Sequence, residues 1–104
     1  MAAYVIGNYT IINPEAYTEY PEKAAATITK YDGTTIVVTH DSVALEGKPR
    51  SIIVVVRFDS IEKAQRWYYS EEYQAIINLR QDTSEGWITI CPEFDFSMML
   101  KKQL

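Results

Sequence analysis

The segment Ser51–Phe58, SIIVVVRF, constrains the fold of this chain more than any other, because it is apolar on both faces of the strand it predicts. Side chains alternate across a strand, so Ile52, Val54, Val56 and Phe58 share one face while Ile53 and Val55 share the other. A strand with one face in water alternates apolar with polar residues, and this one does not. The opening segment repeats the pattern, with Val5, Tyr9 and Ile11 opposed to Tyr4 and Ile6, as does Ile36-Val37-Val38. The sheet must therefore be covered on both sides. With 104 residues, of which 47% are hydrophobic and 23% charged, the chain is a single globular domain with a modest core.

Around that strand the other elements fall into order. Tyr4–Ile12 is β-branched and aromatic and reads as a first strand. Asn13-Pro14-Glu15 starts a helix: an Asn cap, Pro at the first helical position, an acid in the first turn. Tyr17, Tyr20, Ala24, Thr27, Ile28 and Tyr31 carry its buried stripe, Pro21 kinks it, and Asp32-Gly33 closes it with Gly33 as the left-handed residue. Thr34–Leu45 reads as a second strand and Glu46-Gly47-Lys48-Pro49 as a turn before the third. Asp59 and Glu62 have the spacing of a capping box, and Ile61, Ala64, Trp67 and Tyr68 form the stripe of a second helix. A second cap at Ser70 breaks that helix, which resumes through Tyr73, Ile76, Ile77 and Arg80. Trp87–Cys91 is a fourth strand that Pro92 ends. In the tail, Phe96, Met99 and Leu100 have the spacing of a short docked helix. The expected division is a domain over 1–93 and an amphipathic tail over 94–104.

The order β-α-β-β-α-β predicts an α+β, ferredoxin-like domain: a four-stranded antiparallel sheet with both helices on one face. Strands roughly 4.8 Å apart make a sheet about 19 Å wide, which two helices about 10 Å across can cover on one side. No third helix is available for the other side. The expectation is a homodimer joined through that sheet face.

Composition excludes several classes of partner and chemistry. The net charge is −4 and Lys101-Lys102 is the only basic cluster, so no nucleic-acid partner is expected. Ile52–Val56 is the longest fully apolar run, far short of the roughly 20 residues of a membrane span. The beginning of the chain reads as a strand and not as a signal peptide, and Cys91 is alone, so the expected setting is cytoplasmic. There is no Gly-rich phosphate loop, no G-x-S-x-G and no H-E-x-x-H. One His and one Cys cannot build a His/Cys zinc site, and neither metal nor cofactor is expected.

Asn13-Pro14-Glu15-Ala16-Tyr17 with Tyr20, Tyr31-Asp32-Gly33, Leu45-Glu46-Gly47, Pro49-Arg50 and Phe58-Asp59-Ser60 occur here in one order. Ala64 with Trp67-Tyr68, Ser70-Glu71-Glu72-Tyr73-Gln74 and Arg80 continue it. In that order and spacing the chain resembles the family called domain of unknown function 1330, within the dimeric α/β-barrel superfamily, over about Ala3 to Ile90. The family usually has a second Gly beside the one matching Gly33 and an Arg soon after it; Asp32 and Thr39 stand in those places here. The resemblance implies the ferredoxin-like fold and no common activity. Superfamily relatives include oxygenases of aromatic polyketides, lactone isomerases and haem enzymes, which is analogy at the level of fold.

The candidate chemistry is sparse. His40, the only side chain with an ordinary pKa near neutrality, is the candidate catalytic residue; its plainer reading is a half-exposed residue at a strand end. Eight tyrosines and two tryptophans are an excess of aromatic amphipaths. Tyr20, Tyr68 and Tyr73 are ligand-pocket candidates between helices and sheet, against a reading as core with hydroxyls at the surface. Arg50 and Arg80 complete the pocket set, since guanidinium grips carboxylates bidentately, against structural ion pairing. The leading functional expectation is a protein that binds or converts a small organic molecule between sheet and helices. The alternatives are a non-catalytic dimeric module, structural or stress-related, and a haem-binding or haem-degrading protein, which would need His40 to face the pocket.

Overall fold

The computed structural model describes residues 1–100. Its elements run β1 (Ala3–Ile11), α1 (Pro14–Tyr17), α2 (Tyr20–Lys30), β2 (Thr34–Thr39), β3 (Ile52–Phe58), α3 (Ile61–Tyr68), α4 (Glu71–Gln74), α5 (Asn78–Gln81) and β4 (Ser84–Pro92), followed by a 3-10 turn over Phe96–Leu100. The strands form one antiparallel sheet in the order β2-β3-β1-β4. This is the ferredoxin-like α+β arrangement. The two strands that are apolar on both faces, β1 and β3, occupy the centre.

Register sorts the side chains. Ala3, Val5, Gly7 and Tyr9 of β1 stand opposite Phe58, Val56, Val54 and Ile52 of β3 and face the helices. Phe58, Val56, Val5, Ala24, Ala64, Trp67, Tyr73 and Ile77 make the core between the layers. On the other face Trp87, Asn8, Ile53 and Thr39 form one row across the sheet, and Thr89, Ile6, Val55 and Val37 the next. No helix covers that side among the described residues.

Local differences from the sequence reading have physical causes. The first helix breaks into α1 and α2 at Thr18-Glu19, because Pro21 lacks an N–H and sits in the first turn of a new helix. Asn13 caps α1, its Oδ1 accepting from Ala16 N–H at 3.3 Å. The left-handed residue that closes α2 is Asp32 (φ 62°), not Gly33. Gly33 is required for space: a Cβ there would lie 2.7 Å from the Phe58 ring. The cap of α3 is Ser60, whose Oγ accepts from Lys63 N–H at 3.1 Å, while Asp59 pairs with Arg57 at 2.9 Å.

The second strand ends at Thr39 and does not run to Leu45. Its register meets β3 last at Ile53. Before that point the Asn8 side chain takes Arg50 N–H and the Arg50 and Ile52 carbonyls, and Pro49 has no N–H to give. A bulge between Thr35 and Val37 places Val38 opposite Val54 and Val37 opposite Val55, so Ile36-Val37-Val38 is a bulged edge strand. β4 begins at Ser84, three residues before the expected start, because Gly86 crosses β1 so closely that a Cβ would lie 2.3 Å from the Asn8 carbonyl oxygen. In the tail Phe96 is 70% exposed, so it is not docked on the domain. Residues 101–104 of the expected tail lie outside the described residues.

Candidate functional site

A cavity of about 250 Å³ lies between α2 and the sheet. Val5, Val54, Val56 and Ile88 form its floor, and Ala24, Ala25, Ile28 and Trp67 its roof. Thr35 and Val38 of the edge strand border it beside Pro21, and Tyr9 and Tyr20 bring the titratable groups. The walls are otherwise apolar. The volume is near the lower end of small-molecule sites, roughly 300–1,000 Å³.

Beside it the tyrosines are wired together. The Tyr20 and Tyr73 hydroxyls share a hydrogen bond of 2.6 Å, and Arg80 Nε–H donates to the Tyr73 hydroxyl at 3.4 Å. The Tyr9 and Tyr17 hydroxyls share another at 2.9 Å, and the Arg80 guanidinium carbon lies 5.9 Å from the centre of the Tyr9 ring. Each member is held by its element. Tyr20 opens α2; Tyr73 is fixed on α4 by the Ser70 cap, whose Oγ accepts from Tyr73 N–H and donates to the Trp67 carbonyl. Ser84 and Thr83 hydroxyls both donate to the Arg80 carbonyl and fasten α5 to the start of β4. Trp67 Nε1–H donates to Thr27 Oγ1 at 2.9 Å, joining α3 to α2.

Burial, with the neighbouring hydroxyl second, pushes Tyr9 far above the ordinary tyrosine value. Burial followed by the charge and hydrogen bond of Tyr73 does the same to Tyr20, and burial raises Tyr17. These phenols stay neutral through the physiological range and act as hydrogen-bonding groups, not as bases. For Arg80 burial favours the neutral form, but the Tyr73 and Tyr20 oxygens outweigh it and keep the guanidinium charged.

Of the sequence candidates, Tyr20, Tyr73 and Arg80 form one hydrogen-bonded chain, yet they do not share one void. Tyr20 lines the apolar cavity, Tyr73 is packed with no exposure, and Arg80 lines a separate polar pocket at the β4 edge. Tyr68 lines that second pocket, its ring 5.6 Å from that of Tyr73. Arg50 lies apart: it is exposed and donates to the Glu85 carbonyl at 3.2 Å. His40 is exposed just beyond β2 and lines neither void. Tyr9 and Tyr17 are the members that the sequence reading did not select. The signal for Tyr9 was present, since alternation already placed it on the same face as Val5.

A small α+β protein of ferredoxin-like fold, with a mostly apolar cavity under its helices, is the class defined by this geometry. The chain belongs to the family described as Domain of unknown function (DUF1330), whose model matches residues 2–94. No curated protein matches its sequence. Among solved structures it is similar to the RPA0582 protein of unknown function from Rhodopseudomonas palustris (TM-score 0.72, 10% identity, 90% of this chain and 83% of that one). It is similar also to SnoaB, a cofactor-independent oxygenase from Streptomyces nogalater (TM-score 0.66, 10% identity, 90% and 94%). Rv0793 from Mycobacterium tuberculosis has a TM-score of 0.56 at 17% identity, over 91% and 97% of the two chains. At these identities the likeness is one of fold. No helix among the described residues is long and apolar enough to cross a membrane.

Proposed function

We propose that this protein binds a small, mostly apolar organic molecule in the cavity between α2 and the sheet. The carrying observation is the lining itself: aliphatic and Trp67 walls, with Tyr9, Tyr20 and Thr35 as the residues there that carry polar groups. The same lining favours binding over conversion. Its only titratable side chains are Tyr9 and Tyr20, both held neutral, so the cavity has no base suited to work near neutral pH. His40, outside the cavity, supplies neither a base nor an axial ligand to it, which disfavours the haem reading. The oxygenase activity of SnoaB belongs to that protein; what supports a ligand here is the void.

The test uses 2-naphthol, a neutral planar probe, with titration calorimetry. Wild-type protein is expected to bind it, and Val54→Phe, which fills the floor, is expected to keep its circular dichroism spectrum and weaken binding about tenfold or more, the equivalent of ~1.4 kcal/mol. No binding, or equal binding by the variant, would overturn the reading.

We also propose a cytoplasmic homodimer, paired through the open sheet face, with residues 1–93 as its domain and 94–104 as a tail. Ile6, Ile53, Val55 and Val37 stand together there and are only half-buried within one chain, while Trp87 is 51% exposed. The loop from 40 to 51 is exposed throughout, yet carries Val43 and Leu45 at its tip, 85% and 91% exposed, beside Ile53 of that same face. A second copy is the simplest cover for this combination.

A further inference from the structure

The geometry points to a second site: Arg80 anchors the carboxylate of a small organic acid in the polar pocket between α5 and the β4 edge. This inference stands apart from the apolar cavity, because the pocket is a separate void that shares only the Ile88 wall with it.

Arg80 is 8% exposed. A buried guanidinium is costly unless an anion faces it. The ion pairs among the described residues are Lys23–Glu19, Lys30–Glu72, Arg57–Asp59 and Lys63–Asp59, and none includes Arg80. Its side-chain partners are the Tyr73 hydroxyl, the neighbouring Tyr20 oxygen and the face of the Tyr9 ring, and none of them is a carboxylate. A guanidinium has five N–H donors in a planar fork. No fully buried side-chain nitrogen or oxygen among the described residues lacks a partner, so any guanidinium N–H not given to a tyrosine is accessible, and Arg80 lines this pocket.

That pocket has a volume of about 360 Å³ and pairs polar groups of Arg80, Gln81 and Ser84 with side-chain walls of Tyr68 and Ile88, while the Trp87 indole lies on the other face of β4. Its charge selects the ligand. Arg80 is its only ionic side chain, which balances a monoanion and leaves a phosphate dianion half compensated. A carboxylate accepts two parallel N–H bonds from one guanidinium edge, and the Tyr68 and Ile88 walls suit an organic body behind it. The chain as a whole is anionic, at −4, so attraction of a carboxylate is local to this site and not a property of the surface field.

The probes are benzoate and benzamide, alike in shape and different in charge, titrated at neutral pH by calorimetry and by NMR of the wild-type protein. Benzoate is expected to shift the Arg80 Nε–H and Tyr68 ring resonances, with benzamide leaving them in place and inorganic phosphate binding more weakly than benzoate. Arg80→Met should weaken benzoate about tenfold or more, the loss of a charged hydrogen-bond pair. If that variant does not fold, Gln81→Glu serves instead: its exposed carboxylate beside Arg80 competes with the ligand and should abolish benzoate binding. Val54→Phe, in the other cavity, should bind benzoate as the wild type does. Equal responses to benzoate and benzamide would overturn the assignment. So would tighter binding of phosphate, retained benzoate affinity in Arg80→Met or Gln81→Glu, or unmoved Arg80 and Tyr68 resonances at millimolar benzoate.

Discussion

Tyr73 has no solvent exposure, yet its hydroxyl meets both the Tyr20 hydroxyl and Arg80 Nε–H. Such a chain is stable only while every member keeps its protonation state. Tyr9, Tyr17 and Tyr20 all have folded values raised above their ordinary 10.0, chiefly by burial. For a group raised in this way the folded state holds the proton more tightly than the unfolded state. Its stabilising contribution is complete below pH 10 and falls as pH rises beyond it. Alkaline titration is therefore expected to show tyrosinate absorbance of these three appearing together with unfolding seen by circular dichroism. Ionisation of all tyrosines near pH 10 in a still-folded protein would contradict that. Part of this chain was legible in the sequence: Tyr20 and Tyr73 lie on helix stripes, and Arg80 follows at the end of one. What the sequence did not reveal was the bonding, because Tyr73 reaches Tyr20 across 53 positions and only the packing of α4 against α2 brings them together.

At the level of elements, caps and breakers were legible and the exact handover between elements was not. Asn13 and Ser70 do cap helices, since their side chains reach an N–H three residues on, a local geometry that spacing alone encodes. The joint between α2 and β2 depended on a distant ring. Asp32 takes the left-handed backbone and Gly33 makes room for Phe58, the reverse of what glycine's freedom alone suggested. Two substitutions separate these roles. Gly33→Ala drives a methyl against Phe58 and Ile28 and is expected to cost about 1–3 kcal/mol by urea denaturation. Asp32→Gly relieves the left-handed penalty and should stabilise by up to about 1 kcal/mol. A tolerated alanine at 33, or a destabilising glycine at 32, would show that the joint is held otherwise. The early end of β2 was similarly hidden, because it is set by its pairing with β3, which ends at Thr39 opposite Ile53.

The whole molecule extends 49 × 35 × 18 Å, a slab no thicker than one layer of helices on one sheet. The two apolar faces of Ser51–Phe58 are thus distinct: one closes over the cavity, and the other is the open face through which the homodimer is proposed to pair. Light scattering with size exclusion at micromolar concentration is expected to give twice the mass of the chain, and Val55→Asp to dissociate or unfold it; a stable monomer of the wild type would remove the dimer from the account. The central claim, that the helix face of the sheet encloses a ligand site, is tested most directly by mapping 2-naphthol on the intact protein with amide NMR. Shifts gathered on Val5, Ala24, Ile28 and Val54 are the expected result. Shifts gathered instead on the open face at Ile6, Val37 and Val55, or on Phe94 and Phe96 of the tail, would contradict it.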